Sequence, residues 1–171
     1  RMRDPLNGLD YHAYEDSRQM FWGDKVTGRS ENCWLRAMGW YAMALIDTME
    51  VMPESMACQK ARLNAIYKEL IDAMLPYQDQ ATGMWYQVVN RGGIAPNYLE
   101  ESGSAIFAYA IMKSVRLHYL PDDYFKYGQK AFEGICSTYL SEKDGSLQLG
   151  GICLVAGLGT RTCGRAPLNT T

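Results

Sequence analysis

Gly39-Trp40-Tyr41-Ala42-Met43-Ala44 and Gly103-Ser104-Ala105-Ile106-Phe107-Ala108 decide the fold. Each opens on a small residue and continues apolar. Each lies in a stretch apolar nearly all round, which predicts helices over 32–52 and 102–119 that are buried on most sides. Pro53 and Pro121 stop them. A second kind of helix follows each. Over 55–75, Leu63, Ile66, Leu70 and Met74 form a stripe at helical spacing, with Lys60, Arg62, Lys68, Glu69 and Asp72 on the other side. Over 122–139, Tyr124, Phe125, Tyr127, Ala131, Phe132 and Ile135 alternate with Lys126, Gln129, Lys130 and Glu133. Asp122 or Asp123 offers this helix an N-cap carboxylate. Extended pieces, each beginning with Gly, flank the pairs at 8–14, 83–89 and 145–149. The second and third follow an Asp-containing turn. The unit repeats with a period of roughly 60 to 75 residues, as helical-repeat architectures do.

A buried helix beside an amphipathic one implies two concentric layers. The predicted fold is all-α, part of an (α/α)6 barrel, a six-hairpin toroid with short extended segments between the hairpins. Closing such a ring takes about six hairpins, and this chain holds between two and three. Residues 1–159 are expected to form a partial barrel domain and 160–171 an unmatched tail. Helices at the open edges would lose a neighbour, so self-association through those edges is expected.

The 171 residues are 47% hydrophobic and 21% charged, with a net charge of -2. That is ordinary for a globular domain and excludes disorder. Interleaved charge gives no electrostatic footprint for nucleic acid. The longest strongly apolar run, 40–46, is too short to span a bilayer. No charged start with an apolar core is present; the chain begins at Arg1, so a natural start is expected to lie outside it and the compartment stays open. The five cysteines form no Cys-x-x-Cys pair, and their odd number argues against a disulfide framework. They read as small buried residues. With His12 and His118 far apart, no metal and no cofactor is expected.

The extended pieces lead into the buried helices at one rim. They carry Tyr11, His12, Tyr14, Glu15 and Asp16, then Trp34, Arg36 and Trp40, then Trp85, Tyr86, Glu100 and Glu101. Aromatics beside polar groups suit sugars, whose ring faces stack on indoles and whose hydroxyls need hydrogen-bond partners. Arg36 suits an anionic sugar, because its planar fork pairs with a carboxylate. The structural alternatives are plain. One of Trp34 and Trp40 belongs in the core of a helical ring. Glu15 and Asp16 before Ser17 cap a turn. Glu100 and Glu101 are first-turn acids that favour a helix dipole. His118 is structural or solvated. Paired carboxylates occur, but no spacing singles out a glycosidase acid and base.

Four ordered motifs resemble the C-terminal half of a known family: Tyr11-His12-Ala13-Tyr14-Glu15-Asp16-Ser17; Trp34-Leu35-Arg36-Ala37-Met38-Gly39-Trp40; Thr82-Gly83-Met84-Trp85-Tyr86-Gln87-Val88; and Tyr98-Leu99-Glu100-Glu101-Ser102-Gly103-Ser104. They are similar to the unsaturated rhamnogalacturonyl hydrolases of glycoside hydrolase family 105, related to the unsaturated glucuronyl hydrolases of family 88. The resemblance implies an (α/α)6 barrel and release of Δ4,5-unsaturated galacturonic acid from pectin fragments by vinyl-ether hydration. It puts His12, Trp34, Arg36 and Trp40 on substrate-binding positions, with an unsaturated uronic-acid oligosaccharide as partner. It implies no catalytic residue here: the family's general acid/base Asp belongs to an earlier Asp-Asp-aromatic-Met helix that this chain lacks. The family's usual Asp-Glu-Ser is reordered at Glu15-Asp16-Ser17. A non-catalytic helical-repeat module that binds a protein or sugar is the alternative.

Overall fold

The structure, a computed structural model, describes residues 2–158. The expected tail at 160–171, with Cys163, lies outside the described residues. Two helical hairpins follow one another: α1 (Leu35–Val51) with α2 (Ala57–Met74), and α3 (Glu101–Arg116) with α4 (Phe125–Tyr139). α1 packs along α3, α2 covers α1 and α4 covers α3. This is the predicted pairing of buried with covering helices. The chain is mostly helical, but the all-α expectation needs one correction. β1 (Leu140–Lys143) and β2 (Ser146–Leu149) form an antiparallel pair. Asp144 and Gly145 between them both have positive φ, which is what a tight two-residue hairpin turn requires.

The core gathers Leu35, Ile46 and Met49 of α1, Tyr67, Leu70, Ile71 and Met74 of α2, and Phe107 and Ile111 of α3. The α2 stripe is thus rotated from the expected one: Tyr67 and Ile71 join it, and Ile66 is exposed. α1 is less enclosed than its composition predicts. Trp40, Tyr41, Ala44 and Val51 form an open row on one side of it.

Glycines set the helix distances. The two aligned glycines meet where α1 crosses α3. A Cβ on Gly103 would lie 2.5 Å from Leu35 Cγ, and one on Gly39 would lie 3.2 Å from Ile106 Cγ2. α4 turns Gly128, Ala131, Gly134 and Ile135 inward, while Phe125 and Phe132 stay exposed. The expected carboxylate cap of α4 is not made. Asp122–Tyr124 form a 3-10 turn that runs straight into the helix, and the Asp122 carbonyl, not a side chain, receives the Phe125 N–H. Cys33 and Cys153 are buried as expected, but Cys58 is exposed, which corrects the expectation for it.

One turn recurs three times, at Asp4-Pro5-Leu6-Asn7-Gly8, Asp24-Lys25-Val26-Thr27-Gly28 and Asp79-Gln80-Ala81-Thr82-Gly83. In each, the glycine N–H donates to the Asp carbonyl, at 2.9, 2.8 and 2.8 Å, and the Asp carboxylate accepts a backbone N–H two residues on. In each the glycine sits at φ 75°, a conformation side chains resist. Each turn launches an extended piece toward the rim. Among the described residues no helix is long and apolar enough to cross a membrane.

Candidate functional site: a polar and aromatic cleft at the helix rim

The extended piece after Gly83 ties the two inner helices together. The Gln87 carbonyl accepts the Leu35 N–H at 2.9 Å, and Val89 N–H donates to the Cys33 carbonyl at 3.0 Å. On its other side, Gln87 N–H donates to the Tyr98 carbonyl at 2.9 Å and the Trp85 carbonyl accepts the Glu100 N–H at 2.9 Å. Both helix entries therefore hang on one strand-like rung. Glu100 caps α3: its carboxylate accepts the N–H groups of Ser102 and Gly103. It also accepts the Ser102 hydroxyl at 2.7 Å and the Cys153 N–H at 2.9 Å.

Beside this rung opens a cleft of about 850 Å³. His12, Trp34 and Gln87 line it together with Tyr11, Trp22, Arg29, Glu31, Arg91 and the 94–97 turn. His12 meets Trp34 edge to face at 4.9 Å. Arg36 stands behind, its guanidinium 5.1 Å from the Trp34 ring. One Arg36 nitrogen, Nη1, donates to Ser102 Oγ at 3.2 Å and to the Cys153 carbonyl. Three cleft atoms are buried with no hydrogen-bond partner among the described residues: His12 Nδ1, Trp34 Nε1 and Gln87 Oε1. Leaving such an atom unpaired costs about 1–3 kcal/mol. All three residues line the cleft. Burial pushes the His12 pKa down, so its imidazole is held neutral.

Glu15, Asp24 and Glu31 have partners. The Ser17 side chain, with the N–H groups of Met20, Gln19 and Ser17, holds Glu15 down to about 2. Asp24 serves its own turn, and Glu31 pairs with Arg91. Burial, and then the neighbouring Glu100, push Glu101 up. Among the described residues no cluster of three or more His, Cys, Asp or Glu side chains suits a metal ion.

Of the four expected binding residues, His12 and Trp34 share the cleft, while Arg36 does not line it and lies over the Trp34 ring. Trp40 does not line it; it lies on the open row of α1, 55% exposed. Trp85, read as a rim aromatic, is instead core. It is fully buried, and its Nε1–H donates to the Met74 carbonyl at 2.9 Å. Trp22 and Gln87 escaped the sequence reading. Gln87 left one signal, a lone amide inside the apolar run Met84–Val89.

The family model for Glycosyl Hydrolase Family 88 matches residues 1–166. Protein Atu3128 of Agrobacterium fabrum is 38% identical over 157 residues, covering 89% of this chain and 66% of that protein. The unsaturated rhamnogalacturonyl hydrolase YesR of Bacillus subtilis is 28% identical over 152 residues, covering 84% of this chain and 36% of YesR. A solved glycoside hydrolase of family 105 from C. acetobutylicum superposes with a TM-score of 0.87 at 42% identity, over 94% of this chain and 45% of that one. The chain thus spans less than two thirds of each relative. A match that runs through all four motifs and both helical hairpins leaves one assignment: this chain belongs to glycosyl hydrolase family 88.

Proposed function

We propose that the cleft binds the unsaturated uronic acid at the end of a pectin fragment, and that the chain forms part of an enzyme that releases it. The observation that carries this reading is the trio of unpartnered buried atoms beside an aromatic wall. A sugar presents apolar C–H faces to Trp34 and hydroxyls to His12 Nδ1, Trp34 Nε1 and Gln87 Oε1. Arg36 adds the carboxylate reader. Its Nη1 is used by Ser102 and Cys153, and its other guanidinium nitrogens make no hydrogen bond among the described residues. Trp40, Tyr41 and Ala44 are the face on which a further inner helix of an (α/α)6 barrel would pack. In this chain alone, a second copy takes that place. The similarity to YesR supports a rhamnogalacturonan substrate.

The reaction is hydration of the vinyl ether. An Asp acting as general acid protonates C4, water adds at C5 and returns its proton to that Asp; the hemiketal collapses to a C5 ketone with cleavage of the C5–O5 bond, and the C1 hemiacetal so formed expels the aglycone as an alcohol, which opens the glycosidic bond. No residue of this chain is assigned that proton transfer; its share is to bind and orient. The test is tryptophan fluorescence titration with a Δ4,5-unsaturated galacturonyl-rhamnose disaccharide, alongside the absorbance of its enol ether. Saturable quenching with no loss of absorbance is expected. Absence of binding would favour a helical-repeat module, and turnover at the rate of intact enzymes would move the acid into this chain.

A further inference from the structure

We propose that Gln87 is a hydroxyl-reading residue of the cleft, with Cys153 as the positioning residue that holds its amide in register. This rests on the sugar-binding reading above. Gln87 is 1% exposed, yet it lines the cleft. Its backbone is fixed from both sides by Tyr98 and Leu35. Its Nε2 donates to Cys153 Sγ at 3.1 Å. That bond fixes which end of the amide is spent, and Oε1 is left buried without a donor. The thiol is itself anchored. Cys153 N–H donates to Glu100 Oε1 at 2.9 Å, and its carbonyl accepts from Arg36. The cap of α3 therefore sets the thiol, and the thiol sets the amide.

The consequence is a paired reader. Trp34 Nε1–H can only donate, whereas Gln87 Oε1 can only accept. Trp34 and Gln87 both line the cleft. A donor and an acceptor in one cleft suit two hydroxyls of a sugar ring, one accepting from the indole and the other donating to the amide. The ligand class is a ring with a vicinal diol, which an unsaturated uronic acid has at C2 and C3.

Calorimetric titration of the whole chain with the unsaturated disaccharide tests this. Gln87→Met keeps the shape and removes the acceptor, so affinity should fall about three- to tenfold, the worth of one neutral hydrogen bond. Its melting temperature should hold, because removal of the unsatisfied buried Oε1 offsets loss of the single N–H···S bond; a merely structural Gln87 would show the opposite pattern. Cys153→Ala should weaken binding in the same direction by less, and Cys153→Ser should restore it. With the unaltered chain, the 2-deoxy or the 3-deoxy disaccharide should lose the same factor, which keeps the test decisive even where Gln87→Met does not fold. Unchanged affinity for Gln87→Met, or for both deoxy sugars, overturns the hydroxyl-reading role; unchanged affinity for Cys153→Ala overturns the positioning role. If the unaltered chain binds no disaccharide, the sugar reading falls and this inference with it.

Discussion

Gly103→Ala isolates the crossing on which the rim depends. Alanine is the better helix former by about 1 kcal/mol, so propensity alone predicts a more stable chain. Packing predicts the reverse. The new Cβ would stand 2.5 Å from Leu35 Cγ, 2.8 Å from Leu35 Cδ2 and 3.0 Å from Glu100 Oε2. Carbon pairs are comfortable at about 3.5–4.0 Å. The nearest atom is the branch point of a side chain with no exposed surface, so no free end can swing aside. Overpacking of this kind costs about 1–3 kcal/mol. Disturbing the Glu100 cap adds about 1 kcal/mol. The net loss should be about 1–3 kcal/mol after the gain in propensity. For a chain of this size that lowers the melting temperature by about 2–12 °C. Urea melts followed by circular dichroism give the number. Leu35→Ala alone should cost about 2–5 kcal/mol, and the double variant should cost less than the two single losses together, because the methyl fills vacated space. A Gly103→Ala midpoint at or above that of the unaltered chain, or strict additivity, refutes the close crossing.

Three further outcomes are expected. Arg36→Lys should weaken binding of the unsaturated disaccharide more than tenfold in calorimetry while moving the melting temperature little, because a point charge replaces neither the stack on Trp34 nor the fork. Burial depresses the His12 pKa below 6.5, so the unfolded chain binds the proton more readily. Its stabilising share is full above pH 6.5 and is lost as pH falls toward the folded value; urea midpoints should drop over that window in the unaltered chain and drop less in His12→Gln. The open row Trp40, Tyr41, Ala44 and Val51 should drive self-association, seen as a concentration-dependent mass in light scattering, and Trp40→Glu with Tyr41→Glu should abolish it.

Helical period and proline stops made the two hairpins legible, because burial of apolar stripes decides them. The buried face of α4 was harder to read. Its contacts run through Gly128 and Gly134, and glycine carries no hydropathy to mark a face. The Cβ of an alanine at 134 would sit 1.9 Å from the Thr82 carbonyl oxygen, so the closest approach is made where the sequence looks emptiest. The rim was legible as a composition and only partly as a geometry. His12 and Trp34 converge on the cleft. Trp85, equally aromatic and also in an extended piece, goes to the core, because its backbone sits on the rung between both helices. Nothing in the residue types separates those two fates.

The division of labour between turns and helices has a functional consequence. The three Asp-x-x-Asn/Thr-Gly turns close on their own backbone and side-chain bonds, and each delivers an extended piece to the rim. The helices fix the distance between those pieces through Gly39 and Gly103. Cleft side chains such as His12 and Gln87 are then carried by backbone already satisfied elsewhere, and His12 Nδ1 and Gln87 Oε1 remain unspent. Substitution of such a side chain should change what is bound more than whether the chain folds. Substitution of a turn Asp or a crossing glycine should do both, since it moves the backbone that carries the wall. That asymmetry separates a ligand-binding rim from a merely irregular edge, in which polar atoms would be satisfied locally and no residue would show a loss of affinity without a loss of stability.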